Sequence, residues 1–331
     1  MAKIPKILLV DVDSTIPNLA LMKLSTHYKA QGFTVDLMRL KYKGFKAGKK
    51  RSVIDAAGYT SVFVSIIFTT NKDVIGVKNC EDVQFGGTGY DLTIKLPDEI
   101  DNCEEDYQLY GEREFSYGFI TRGCIRNCSF CFVPKKEGMI HLYRTVDQIV
   151  KHKKVKFMDN NILAHPEHEA ILQEIVDKKI RCQFNQGLDL RLLTEKNAEL
   201  LSKIKYIGEY FFAFDFIGLK SIIAKNYKLF QKYVPKDWRA RFYVYCNAET
   251  PIEDVIYRVE WCRQNKALVY FMRDKNCENS EHRSFYSDVA SYCNNVALYK
   301  KFTFNQFMKI HSKSPARIIK HIQLYGTTFI K

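Results

Sequence analysis

Apolar residues along this chain fall into short runs that end in Asp, Asn or Gly, and between the runs apolar positions recur at helical spacing. Residues 6–10 form the first such run, closed by Asp11, the pattern of a parallel strand buried on both faces. Pro17 opens a helix in which Leu19, Met22, Leu24 and Tyr28 share one face, with Gly32 as its stop. Residues 34–40 and the β-branched, aromatic run 59–68 read as further strands. So does the stretch from Asp82 that ends in the turn Gly86-Gly87-Thr88-Gly89. Strands alternating with helices predict a small doubly wound α/β domain over residues 1–100. Residues 101–114 are polar and acidic and read as a linker in which Tyr107, Leu109 and Tyr110 are expected to dock.

From Glu114 onward the pattern repeats as strand, loop, helix. Strands are predicted at 115–120, 155–158, 180–184, 210–214, 241–245 and 267–272. Helices are predicted at 145–152 with Thr145 as N-cap, at 167–178, at 194–204 with Thr194 as N-cap, and from Pro251 to Gln264. Six such units predict a partial (β/α)6 TIM-type barrel over 115–290, followed by a basic helical extension, 291–331, with helices at 304–309 and 316–324. The expected class is therefore α/β, a Rossmann- or flavodoxin-like domain followed by a partial barrel and a short helical tail. Parallel strands all end on one side, so the polar residues after each run converge there: Asp159-Asn160-Asn161, Asn185, Asp189, Arg191, Asp215, Asn247, Glu249 and Arg273. Each of these can equally cap a helix or join an ion pair at the rim.

Length and composition add limits. The 331 residues suffice for two domains, and no apolar run reaches the roughly 18–20 residues of a membrane span. The N-terminus lacks the apolar core of a signal peptide, so a cytoplasmic protein with no membrane partner is expected. The net charge of +14 favours an anionic partner, nucleic acid or another polyanion. Lys41, Lys43, Lys46, Lys49, Lys50 and Arg51, with Tyr42 and Phe45 among them and no acid, are the candidate substrate-binding residues.

The chemistry concentrates in Thr121-Arg-Gly-Cys124-Ile-Arg-Asn-Cys128-Ser-Phe-Cys131-Phe-Val-Pro134. Of ten cysteines, only Cys124, Cys128 and Cys131 are closely spaced, as C-x3-C-x2-C, after the first predicted barrel strand. In a reducing compartment such thiols bind metal more readily than they pair. An iron–sulfur cube ordinarily takes four cysteines, so three leave one iron open. With Phe130 just before the last cysteine, this loop resembles the cluster loop of the radical S-adenosylmethionine (SAM) superfamily.

The resemblance implies a [4Fe–4S] cluster on Cys124, Cys128 and Cys131, with SAM bound at its open iron and cleaved reductively to a 5′-deoxyadenosyl radical. It implies a one-electron reductant such as flavodoxin or ferredoxin. It also places SAM contacts after the barrel strands. The 159–161 segment stands where the family bonds the SAM amino group, although Asp-Asn-Asn replaces Gly-Gly-Glu. Asp215, Asn247 and Glu249, and also Asn185, Asp189 and Arg191, stand where ribose or carboxylate is met. Phe130 would pack on adenine, and Arg273 would face an anionic substrate or the SAM carboxylate.

Residues 1–100 resemble the cobalamin-binding-like domain that precedes the barrel in one branch of the superfamily, through the first strand, the Pro17-Asn18-Leu19 helix start, Gly32 and Gly86-Gly87. The cobalt-ligating Asp-x-His-x-x-Gly motif is replaced by Asp11-Val-Asp13-Ser-Thr-Ile. Cobalamin without a histidine ligand exists in that branch, so the substitution weakens this cofactor without excluding it. Three alternatives stay open: a cobalamin-dependent radical methylase, a tRNA methylthiotransferase-like enzyme, and a metal-stabilised nucleic-acid-binding protein with zinc on the three cysteines and His141. Cys131-Phe-Val-Pro134-Lys-Lys-Glu137-Gly138 resembles the methylthiotransferase run Cys-x-Val-Pro-x-x-Arg-Gly. Those enzymes carry three further N-terminal cysteines, and here only Cys80 and Cys103 precede the loop.

Overall fold

The computed structural model describes residues 4–40 and 52–311, and the fold is mixed α/β with parallel sheets and helices. The chain divides into two compact units, the first comprising residues 1–118, 125–139 and 150–153 and the second the remainder.

In the first unit, Lys6–Asp11 is a central strand, parallel to Thr34–Arg39 on one side and Ser61–Ser65 on the other, with Asp82–Gly86 beyond the latter. Its run is apolar throughout because both faces are covered. Ile7 and Leu9 pack with Leu21 and Leu24 of the helix Leu19–Ala30, whereas Leu8 and Val10 pack with Ile54, Val62, Val64 and Ile75. The helix begins two residues after Pro17, because Asn18 caps it by accepting from the N–H groups of Ala20 and Leu21. Two short strands not expected from sequence, Ser52–Asp55 and Ile75–Lys78, form a second parallel pair.

The glycine turn is a steric device. Gly87 has φ +98°, and a Cβ there would fall 2.3 Å from the Ile66 carbonyl oxygen; one on Gly89 would fall 2.5 Å from the Phe68 carbonyl carbon. Two backbones approach too closely for any side chain. Asp13 takes hydrogen bonds from the N–H groups of Ile67 and Phe68 and from the Asn71 amide, so the acids after the first strand knit this corner together.

The segment read as a linker packs on this unit. Asp106 accepts from Ser25 and Lys29, and Tyr110 donates to Asp11 (2.9 Å). The Tyr107 hydroxyl donates to the Tyr117 carbonyl (3.2 Å) and accepts from the Tyr117 N–H (2.9 Å). These three residues of the segment are ordered by polar contacts as much as by burial.

In the second unit strand order follows chain order. Lys154–Phe157, Arg181–Phe184 and Lys205–Tyr206 pair in parallel, as do Tyr210–Ala213, Ala240–Cys246 and Leu268–Arg273. A parallel bridge between Leu188 and Phe212 joins the two sets. Helices His168–Asp177, Glu195–Lys203, Lys220–Tyr233 and Ile252–Gln264 stand between the strands. Glu195–Lys203 starts at a capping box between Thr194 and Asn197. The core is aromatic: Phe157 stacks on Phe184 at 5.4 Å, and Phe242 meets Phe212 and Trp261 at 5.5 Å each.

Some elements differ from expectation. The strand predicted at 115–120 ends at Gly118, and the helix predicted at 145–152 is confined to Val146–Ile149, with Thr145 and Gln148 bonded reciprocally at its start. Helices Lys220–Tyr233 and Arg283–Cys293 have no predicted counterpart, Val296–Lys301 falls within the extension expected to be helical, and the helix predicted at 304–309 extends over Phe304–His311. The helix predicted at 316–324 lies outside the described residues. Among the described residues no helix is long and apolar enough to cross a membrane.

Candidate metal and cofactor site

Within the second unit the strands from Lys154 to Arg273 run parallel, so their C-terminal ends share one side and the predicted polar residues fall there by construction. The cysteine segment begins after the two-residue strand Thr121–Arg122, which pairs antiparallel with His141–Leu142. Asp159, two residues beyond the strand Lys154–Phe157, fastens that stem. Its carboxylate accepts from the N–H groups of Ile120 (3.2 Å) and Thr121 (2.5 Å) and from the Thr121 hydroxyl (2.8 Å). Asp159 has no exposed surface, and burial pushes its carboxyl up to about 6, against the hydrogen bonds that favour the anion. Both carboxylate oxygens are therefore engaged with the stem of the cysteine segment.

Cys124, Cys128 and Cys131 form no disulfide, and each is half-buried. The Cys131 N–H donates to the Cys128 carbonyl (2.9 Å), a tight turn, and the short helix Val133–Glu137 follows with Pro134 in its first turn. Lys136 of that helix donates to the Thr88 hydroxyl of the glycine turn (2.6 Å).

Asn161 is the contact between strand end and sulfur. Its Nδ2 lies 3.6 Å from Cys124 Sγ and, at the long limit of a hydrogen bond, 3.5 Å from Asp189 Oδ2. Its Oδ1 is buried and has no partner among the described residues, in a residue only 4 % exposed. The amide is oriented with its donor toward two acceptors, so the orphan is the oxygen. Leaving such an acceptor unsatisfied costs about 1–3 kcal/mol.

Asp189 and Arg191 form a bidentate pair, Oδ1 to Nε at 2.6 Å and Oδ2 to Nη2 at 2.9 Å, and Asp189 also accepts from the Arg191 N–H. Asp215 accepts from the Tyr245 N–H (3.2 Å). Burial pushes its carboxyl up to about 6; Arg258 and Arg191 act the other way and Asp189 adds to the rise.

The remaining predicted residues are placed less pointedly. Asn247 caps its own turn, its Oδ1 accepting from the Glu249 N–H and the Thr250 hydroxyl, and Glu249 is exposed. Asn185 binds through backbone, donating to the Phe157 carbonyl and accepting from the Tyr243 hydroxyl. Asn160 and Phe130 are half-buried, and Arg273, the last residue of its strand, is exposed. Lys41, Lys43, Lys46, Lys49, Lys50 and Arg51 lie outside the described residues. His141 is exposed on its short strand, opposite Arg122.

Among the described residues no group of three or more His, Cys, Asp or Glu side chains is gathered into a set that could hold a metal ion. The fit to an iron–sulfur cluster therefore rests on the donors themselves. Three thiols outside any disulfide share one short segment, and a side-chain amide donates to the first of them, as amides do to cluster ligands. The donor set fits the group.

Arg258, which sequence reasoning passed over, is fully buried beside the strand ends. The signal was present: it falls on the face of its helix occupied by Val255, Val259 and Cys262, where a cation is out of pattern. No protein-family model matches the chain, and no curated protein matches it.

Proposed function

We propose that the chain is a radical SAM enzyme in which Cys124, Cys128 and Cys131 hold a [4Fe–4S] cluster and the second unit forms the partial barrel around SAM, preceded by a Rossmann-like domain. The observation that carries this reading is the Asn161 side chain, which donates to the Cys124 sulfur while its own oxygen remains buried and without a donor among the described residues. An acceptor in that position fits the amino group of a ligand bound next to the first thiolate.

When bound, a reduced cluster supplies the single electron that cleaves SAM to a 5′-deoxyadenosyl radical. The chain's own residues then have distinct tasks. Asp159 fixes the stem of the cysteine segment, and Asn161 donates to one ligand sulfur and accepts from the SAM ammonium. The ion pair of Asp189 with Arg191 holds the next strand end rigid, and the Asp215 carboxylate is the acceptor offered to ribose hydroxyls.

The net charge of +14 supports a large or anionic substrate, with nucleic acid or a nucleotide preferred. The reductant is a one-electron carrier. Anaerobically reconstituted protein incubated with dithionite and SAM is expected to release 5′-deoxyadenosine, and Cys128→Ala to abolish the release. Undiminished release by Cys128→Ala would sink the reading.

A further inference from the structure

Phe214 and Asp215 lie just past the strand Tyr210–Ala213, Tyr245 is the penultimate residue of Ala240–Cys246, and the carbonyls of all three sit in surroundings at least partly shielded from water. Such oxygens need donors. Arg258, from the helix Ile252–Gln264, supplies them. Its Nη1 donates to the carbonyls of Phe214 (2.9 Å), Asp215 (2.9 Å) and Tyr245 (2.8 Å), and its Nε to the Asp254 carbonyl in its own helix (3.2 Å). The side chain is fully buried, and Nη2 is buried without a partner among the described residues.

A neutral amide could satisfy strand-end carbonyls at a smaller desolvation cost than a guanidinium, which remains charged in any protein. Among the described residues no carboxylate forms a direct ion pair with Arg258. The groups that feel its charge are Asp215 first, then Cys246, Asp254 and Cys262. Asp254 belongs to its own helix, and the two cysteines are buried thiols. Among the described residues Asp215 is therefore the strand-end carboxylate on which this buried charge acts most. The other charged groups facing Asp215 are Arg191, which favours its anion, and Asp189, which opposes it.

We propose that Arg258 is a positioning residue for Asp215: it pins the Phe214–Asp215 and Tyr245 strand ends together and supplies positive charge that favours the anion of the half-buried Asp215 carboxylate. This rests on the proposed function only for the ligand that Asp215 would meet. The guanidinium explains two observations at once, the convergence of three carbonyls on one nitrogen and a buried cation with no ion pair among the described residues.

The test is a carboxyl-carbon NMR titration of the full chain labelled with 13C-aspartate, with Asp215→Asn identifying the resonance. In the unmodified protein the midpoint is expected near 6. In Arg258→Met it should rise by about one pH unit or more, the size expected when a neighbouring opposite charge is removed. In Arg258→Lys, which keeps the charge and loses the forked donor, it should return most of the way toward the unmodified value. Arg258→Gln, a donor without charge, gives the same test as Arg258→Met should the latter not fold. A purely structural arginine would lower the melting temperature and leave the Asp215 midpoint where it was, and that result in either neutral variant overturns the proposal. The titration needs no ligand, so it stands or falls apart from SAM binding.

Discussion

The side-chain nitrogen of Asn161 lies 3.6 Å from the sulfur of Cys124, and the oxygen of the same amide is buried with no donor among the described residues. One residue thus touches the first candidate ligand while presenting an unsatisfied acceptor beside it. Replacing Asn161 with Ala removes both functions and relieves an orphaned atom, so the fold should be unharmed. SAM affinity should fall about tenfold, the worth of one charge-assisted hydrogen bond. Loss of an N–H donor to a ligand sulfur should also lower the reduction potential of the cluster. Equilibrium dialysis and a redox titration read the two effects separately, and an unchanged SAM affinity would remove Asn161 from the site.

Asp159 makes a pH prediction. Its folded-state carboxyl titrates near 6, above the ordinary 3.8, so the folded chain holds this proton more tightly than the unfolded one. Its contribution to stability is therefore greatest below the unfolded value, is lost as pH rises through the folded one, and is constant above that. A carboxyl raised this far gives a fall of up to about 3 kcal/mol between about pH 4 and pH 7. Urea unfolding of the metal-free protein across that range should show this fall relative to Asp159→Asn, which has no proton to lose. Parallel pH profiles for the two proteins would contradict it.

Gly87 and Gly89 are predicted to be intolerant of any side chain. A Cβ on Gly87 would overlap the Ile66 carbonyl oxygen and one on Gly89 the Phe68 backbone, with no flexible neighbour to give way. Each Gly→Ala change should cost about 2–3 kcal/mol, more than the gain expected from alanine's smaller unfolded-state entropy. Thermal unfolding of the variants checks this, with Gly32→Ala as the comparison at a positive φ in open space. If that turn instead bound phosphate, the alanine variants would fold normally and lose only a ligand.

The elements legible in the sequence are those whose signal is local. The run around Leu8 and Val10 is apolar because both faces are covered, and the Thr194 cap is written within four residues. Ser52–Asp55 and Ile75–Lys78 were missed because four residues are too few to establish a period. The helix Lys220–Tyr233 was readable from Ile223, Tyr227 and Phe230, yet its many lysines and its lack of a side-chain cap hid its start. The cysteine triplet is likewise local. What sequence could not show is which polar residue meets which partner: Asp159 binds Thr121 across 38 positions, and Arg258 binds the Phe214 carbonyl across 44. Position after a strand marks a residue as lying at the C-terminal side of the sheet, but only packing decides whether its polar atoms are available to a ligand. Asn247 follows a strand as Asn161 does, and it is occupied by its own turn.

The central claim is that three thiols of one segment hold an iron–sulfur cube. Iron and acid-labile sulfide per chain, counted after anaerobic reconstitution and desalting, test it most directly. About four of each are expected in the unmodified protein, as a cube requires, with loss of both in Cys128→Ala. One zinc and no iron, or an intact cluster in Cys128→Ala, would contradict the account.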